Sequence, residues 1–187
     1  MRIIGGQRRG LKLADIGAGD MAAHLRPTSD RVRETIFNLL INGGYGNPVA
    51  GARVLDLFAG TGALGLEALS RGATHATFVD DGAAAHALLR RNIDLMKAGG
   101  TSEVLRSNAA RLGPNRGPGH GLVFLDPPYG KALGEAALAA CVQGGWLAPG
   151  ALVMWEENTP PILPDGFEPL DQRKYGDTLV TIIRAPK

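Results

Sequence analysis

Asp126-Pro127-Pro128-Tyr129 follows directly on the apolar run Leu122-Val123-Phe124-Leu125, and it carries the residue types in this chain best suited to chemistry. It sets a carboxylate beside a carbonyl whose residue has no N–H, a second proline that stiffens the loop, and an aromatic ring. The set fits an amino group on a flat heterocycle. Such an amine is a poor nucleophile, because its lone pair is delocalised into the ring. A site that makes it react should hold its two hydrogens and leave the lone pair exposed. Asp126 can accept one N–H and the Pro127 carbonyl the other, while Tyr129, with Pro128 beside it, offers a face for stacking. The gain is orientation and local electrostatics. No strong base is required beforehand, since the amine becomes acidic as its lone pair forms a bond.

A second stretch, Val54-Leu55-Asp56-Leu57-Phe58-Ala59-Gly60-Thr61-Gly62-Ala63-Leu64-Gly65, reads as strand, glycine turn and helix. Glycines at such a turn let backbone approach a ligand. The pattern is literally G-x-G-x-x-G, so a dinucleotide site is one reading. Asp56 inside the strand opposes it, because a pyrophosphate would be repelled and a ligand carrying an ammonium and a sulfonium would be tolerated. The Asp126 turn opposes it too, since hydride transfer gives no reason for it. Together the two stretches resemble the S-adenosylmethionine methyltransferases that modify amino groups. On that reading Asp56, Phe58, Gly60, Thr61 and Gly62 line the donor site.

The elements that must hold these residues in place are legible along the chain. Arg2 to Leu13 predicts two short strands around a Gly/Arg turn, a small hairpin. Residues 14–25 predict a mobile loop rich in Ala, Gly and Asp. Thr28 or Ser29 caps a helix with Val32, Ile36, Leu39 and Leu40 on its buried stripe, and Asn42-Gly43-Gly44 stops it. Arg26, Arg31 and Arg33 crowd its start, either as surface arginines or as phosphate contacts. Ala76-Thr77-Phe78-Val79-Asp80 predicts a second strand whose terminal acid is placed to take ribose hydroxyls, with Asp81 sharing the role. Residues 83–98 predict a helix with Ala87, Leu88, Ile93, Leu95 and Met96 turned to the core. Asn108 and Ala109 follow a short third strand at Val104-Leu105, where the adenine ring could be read, although Asn108 also suits a plain turn. The run before Asp126 is a buried parallel strand. Ala132 to Val142 predicts a helix, Ala151 to Trp155 a fifth strand, and Phe167–Lys174 with Thr178–Arg184 a closing hairpin.

Composition narrows the function classes. With 187 residues, 44% hydrophobic and 20% charged, the chain reads as one globular domain, residues 1–25 forming a basic hairpin and loop extension. No apolar run approaches the roughly 20 residues that cross a bilayer, so no membrane role is expected. The single cysteine, Cys141, lies in an apolar helical pattern, which predicts a packed thiol and suits a reducing cytoplasm. His24, His75, His86 and His120 share no ligand spacing, so no metal is expected. Net charge is +2, but residues 1–34 hold seven Lys/Arg against four Asp/Glu. Arg8, Arg9 and Lys12 belong to a basic arm that suits a polyanion, nucleic acid being the natural candidate.

The chain resembles the bacterial 16S ribosomal RNA (guanine-N2)-methyltransferases of the RsmD family. The resemblance spans nearly all of it: Met1-Arg2-Ile3-Ile4-Gly5-Gly6 with Arg9-Gly10, Arg26-Pro27-Thr28-Ser29-Asp30-Arg31-Val32-Arg33-Glu34-Thr35, Val54 through Ala73, and Asp126-Pro127-Pro128-Tyr129. It implies an α/β, Rossmann-like fold with a seven-stranded, mostly parallel sheet whose last strand is reversed. It also implies S-adenosylmethionine as donor, S-adenosylhomocysteine as product, and a guanine N2 amine of 16S rRNA in the small subunit as acceptor. By position, Asp56, Gly60 and Gly62 would line the methionine end, Asp80 the ribose and Asn108 the adenine. Asp126 and Tyr129 would handle the guanine, and a monomer is the expected state. Rival readings are a DNA amino-methyltransferase, which would usually carry an inserted recognition region, another RNA amino-methyltransferase, and a non-catalytic RNA-binding assembly factor.

Overall fold

In the computed structural model, which describes residues 1–14 and 29–187, the centre is a seven-stranded sheet ordered β3-β2-β1-β4-β5-β7-β6. The strands are β1 (Arg53–Leu57), β2 (His75–Asp80), β3 (Ser102–Arg106), β4 (His120–Leu125), β5 (Leu147–Glu157), β6 (Glu168–Tyr175) and β7 (Thr178–Arg184). β1 through β5 run parallel and β7 runs antiparallel to both of its neighbours. Strands buried on both faces need apolar residues throughout rather than alternation, which is why β1 and β4 read as unbroken runs. The helices are α1 (Asp30–Asn42), α2 (Ala63–Ser70), α3 (Ala83–Met96) and α4 (Leu133–Gln143). One core packs Phe37, Leu66, Phe78, Leu89, Phe124 and Met154 on one sheet face; the other packs Leu55, Val123, Leu138, Cys141 and Trp155. Cys141 is the packed thiol expected, and burial pushes it up to about 12. None of the helices among the described residues is long and apolar enough to cross a membrane.

Three expectations change. The N-terminal hairpin is a single antiparallel bridge, Arg2 with Lys12, around a short 3-10 turn at Gly6–Arg8. Its arms share the backbone bonds Ile3 N to Leu11 O, Gly10 N to Ile3 O and Leu13 N to Met1 O, and side chains of the domain hold it as well. Glu67 accepts from Ile4 N and Gly5 N at 2.8 Å each, Ser70 Oγ from Arg8 N at 2.9 Å, and Asn92 Oδ1 from Ala14 N at 2.8 Å. Ile3 and Leu13 join the core. The buried face of α3 is also rotated from the one expected. Ala85, Leu89, Asn92, Ile93 and Met96 turn inward, Leu88 is half-buried, and Ala87 and Leu95 are exposed. Buried Asn92 is the reason: its amide ties Ala14 O and Thr61 O, so a polar residue sits where an apolar stripe would exclude it. Ser29 caps α1 by accepting from Val32 N. The third change concerns Arg33 and is described with the site. Arg26 and the expected loop beyond Ala14 lie outside the described residues.

At the amino ends of the strands, away from Asp126, buried His120 contacts Trp146 O through Nδ1 at 3.0 Å and Thr77 Oγ1 through Nε2 at 3.1 Å. His75 Nε2 reaches the same hydroxyl at 3.3 Å. Burial first, then the Arg53 charge, holds both imidazoles below the ordinary 6.5. The unfolded chain therefore takes up these protons first as pH falls. Their contribution to stability is complete above about 6.5 and is lost on acidification towards the folded values. Asp56 and Glu156, described below, are shifted upward and bias stability the opposite way, so the histidine share must be read by difference. The gap in melting temperature between the wild type and His120→Gln should narrow from about pH 7.5 to about pH 5. A constant gap would show that His120 takes up its proton alike in the folded and unfolded chain.

Candidate active site

The carboxyl ends of β1, β2, β4 and β5 deliver four acids to one side of the sheet. Asp56 pairs with Phe124 and Phe78 across β4 and β2, and Phe124 pairs with Met154 on β5. Residues two apart in a strand share a face. Asp80, Asp126 and Glu156 therefore stand on the same face as Asp56, one step nearer the strand ends. Asp126 still belongs to the ladder, its N donating to Leu57 O at 3.5 Å. The strand order reverses between β1 and β4, and the carboxyl ends at such a reversal are where open α/β sheets hold ligands.

The glycine turn is built as its sequence implies. Gly60 and Gly62 take φ of 53° and 78°, a region costly for residues with a Cβ. Gly65 serves packing instead: a Cβ there would lie 2.4 Å from Phe78 Cε1. Phe58 reaches φ 59° without being glycine, so the chain bends sharply as it leaves β1. Asp56 is buried and accepts from Gly65 N at 2.9 Å, capping α2 from the strand beneath it. Burial raises its carboxyl well above the ordinary value; the Gly65 bond works against this, and the charges of Asp126 and Asp80 add to it. Half-buried Asp80 accepts from Gly60 N at 2.9 Å and from Gly82 N at 2.8 Å, one bond per oxygen, which leaves further lone pairs for a ligand. Thr61 is buried, and its hydroxyl lies 3.6 Å from Met1 Sδ.

Asp81 and Asn108 meet at the rim, with Asn108 Nδ2 donating to Asp81 Oδ2 at 3.2 Å. Asn108 Oδ1 caps the short turn at Ala109–Arg111 by accepting from Ala110 N, so the turn role weighed from sequence is present in the fold. Ala109 is buried. In the Asp126 turn, Pro127 is buried, Pro128 exposed and Tyr129 half-buried. The Tyr129 hydroxyl lies 3.2 Å from Thr178 Oγ1 at the start of β7, which pins the ring, and burial pushes the phenol up to about 12. It stays protonated and neutral at physiological pH.

Arg8, Arg9, Lys12 and Arg31 are exposed. Arg33 corrects the expectation of a phosphate contact. It is fully buried, donates to Asp30 Oδ1 at 2.9 Å and to Arg2 O, and lies 3.7 Å from Glu67 Oε2. It crosslinks α1, α2 and the arm instead of facing a polyanion. Sequence reasoning also missed Glu156, which is 2% exposed. Burial, then the charges of Asp126 and Asp56, holds its carboxyl well above the ordinary value. A signal was available: an acid follows the apolar run Ala151–Trp155 just as Asp126 follows Leu122–Leu125.

The reversed β7 separates this sheet from the dehydrogenase form of the Rossmann fold. Together with the structural match reported below, it makes the protein a Rossmann-like methyltransferase. Its family is equally plain. The chain belongs to the family described as Conserved hypothetical protein 95, matched over residues 1–184, and the resemblance to the RsmD methyltransferases is borne out. It is 44% identical over 167 residues to ribosomal RNA small subunit methyltransferase D of Escherichia coli K12, covering 88% of this chain and 79% of the relative. The protein of that name from Haemophilus influenzae is 35% identical over 181 residues, 94% of this chain and 89% of the other. Among solved structures, yhhF from Escherichia coli superposes with a TM-score of 0.81 at 38% identity, covering 100% of this chain and 98% of its own.

Proposed function

We propose that this protein transfers a methyl group from S-adenosylmethionine to the exocyclic N2 amine of one guanine in 16S rRNA of the small ribosomal subunit, acting as a cytoplasmic monomer. The observation that carries the reading is the Asp126 turn at the carboxyl end of β4, its tyrosine pinned to β7 and its acid beside the glycine loop. The printed names of the relatives support the class of acceptor.

The residues fit the donor. Buried Asp56 and half-buried Asp80 make a cleft that favours a cation, and the Gly60–Gly62 backbone leaves room for close approach. Asp56, Phe58 and the turn would hold the methionine end. Asp80 and Asp81 would hold the ribose, and Asn108 and Ala109 the adenine. When bound, S-adenosylmethionine supplies a methyl group activated by its sulfonium. The protein's part is positional. Asp126 and the Pro127 carbonyl take the two N–H bonds of the amine, Tyr129 stacks against the base with Pro128 at its edge, and Asp126 takes up the proton that leaves. The guanine must be single-stranded or flipped to reach this turn.

Small subunits from cells lacking the protein, incubated with labelled donor, should acquire label at the N2 of one guanine of 16S rRNA. Label on DNA or on protein instead would overturn the acceptor and keep the chemistry. Affinity for the RNA should also fall with salt. Arg8, Arg9, Lys12 and Arg31, with Arg26 as a proposed fifth contact, predict a slope of log affinity against log salt of about −3 to −4. A flat response in the wild-type protein would remove the basic arm from the interface.

A further inference from the structure

Glu156 lies on β5 one step beyond the Leu125–Trp155 pair, so it stands beside Asp126 on the next strand and on the same face. It is 2% exposed, and its Oε1 has no hydrogen-bond partner among the described residues. Burying a carboxyl oxygen without a donor is costly, and it is tolerated where a ligand brings the donor. The charges that bear on Glu156 are those of Asp126 and Asp56, which assigns its carboxyl to the cleft that holds the reacting groups. Nothing in the positioning of the amine described above uses it.

The chemistry of the base says what that donor is. Beside the N2 amine of guanine lies N1, which carries a hydrogen. Beside the N6 amine of adenine lies an N1 that carries a lone pair instead. With the amine fixed at Asp126, an acceptor on the adjacent strand meets a donor in guanine and a second acceptor in adenine. We propose that Glu156 is the specificity-determining residue of this site, its Oε1 accepting the N1–H of the target guanine while Asp126 and the Pro127 carbonyl hold the N2 hydrogens. This rests on the guanine-N2 reading. It divides the work between strands: β4 holds whatever amine arrives, and β5 tests the atom beside it. The penalty for the wrong base is then the clash of two acceptors added to a buried carboxyl left without a donor, and polar sites of this kind discriminate strongly.

The test uses small subunits reconstituted with 16S rRNA carrying either guanosine or 2-aminopurine at the methylated position. 2-Aminopurine keeps the N2 amine and lacks the N1 hydrogen. Wild-type protein should methylate guanosine faster by on the order of a hundredfold or more. Glu156→Gln, whose amide can donate as well as accept, should reduce that ratio by at least about tenfold while S-adenosylhomocysteine affinity stays near the wild-type value. Glu156→Ala should slow guanosine and leave 2-aminopurine little changed, so that the ratio collapses from the other side. Equal slowing of both bases in Glu156→Gln would overturn the assignment. So would loss of S-adenosylhomocysteine affinity with an unchanged ratio, which would give the carboxyl to the donor molecule. If the wild-type protein leaves guanosine itself unlabelled, the guanine-N2 reading falls and this proposal falls with it.

Discussion

Asp126→Ala should lower the rate of methyl transfer on the order of a thousandfold, while S-adenosylhomocysteine still binds with nearly wild-type affinity. The expected size follows from the chemistry. The alanine variant removes the acceptor that orients one N–H and the group that takes up the proton, and a misdirected lone pair is lost reaction rather than lost binding. Asp126→Asn should lose much less, since an amide oxygen still accepts the N–H. Unfolding is not the expected cause of either loss. Asp126 adds to the upward displacement of the Asp56 and Glu156 carboxyls. Removing its charge relieves both neighbours, so the melting temperature at neutral pH should hold or rise. Single-turnover transfer and calorimetric binding of the product, measured on the same preparations, separate the two effects. An equal fall in rate and in cofactor affinity would mean that Asp126 serves the donor and not the amine.

Glu67→Ala is the second large effect, and it acts on the fold. Glu67 lies on α2 with no exposed surface. It accepts from Ile4 N and Gly5 N, takes Arg71 Nε at 2.7 Å, and faces buried Arg33 at 3.7 Å. Arg71 in turn lies 4.9 Å above the Phe37 ring, so one carboxylate joins the arm, α1 and α2. Its removal strands two backbone donors and leaves the Arg33 guanidinium with only Asp30 as a countercharge among the described residues. Breaking a buried pair from one side typically costs about 3–5 kcal/mol. In a chain of this size that is a fall in melting temperature of roughly 6–20 °C. Amide exchange at Ile4 and Gly5 should quicken before the rest of the protein opens, because these two N–H groups lose their acceptor directly. Glu67→Gln keeps the volume and one acceptor oxygen, and should fall between the alanine variant and the wild type. A loss below about 1 kcal/mol for alanine would mean that water reaches the cluster and carries its charges.

The two sites differ in how far they could be read without the fold. The Asp126 turn and the glycine turn were legible because each depends on neighbours within a few residues. A proline has no N–H wherever it is placed, a glycine at φ 78° needs no partner to explain it, and an unbroken apolar run identifies a buried strand by itself. Asp80 was legible for the same reason, as the acid that ends an apolar run one helix after the turn.

The charged residues whose roles were misread or missed depend on partners far along the chain. Arg33 sits two residues from exposed Arg31 in sequence, and the packing of α1 against α2 places it against Glu67, 34 residues away. Asp56 was expected in the donor site from its position; its second task, capping α2 through Gly65 N, was missed because it required the helix to fold back over its own strand. The basic arm was visible as charge, whereas its attachment through Glu67, Ser70 and Asn92 spans 62 to 78 residues. Local pattern thus determined the element types, the sheet class and the two turns that make the candidate site. Tertiary structure decided which charges are buried and what each one holds. The physical reason is that the cost of burying a charge is set by the partner that meets it, and a partner brought by folding leaves no periodic trace in sequence.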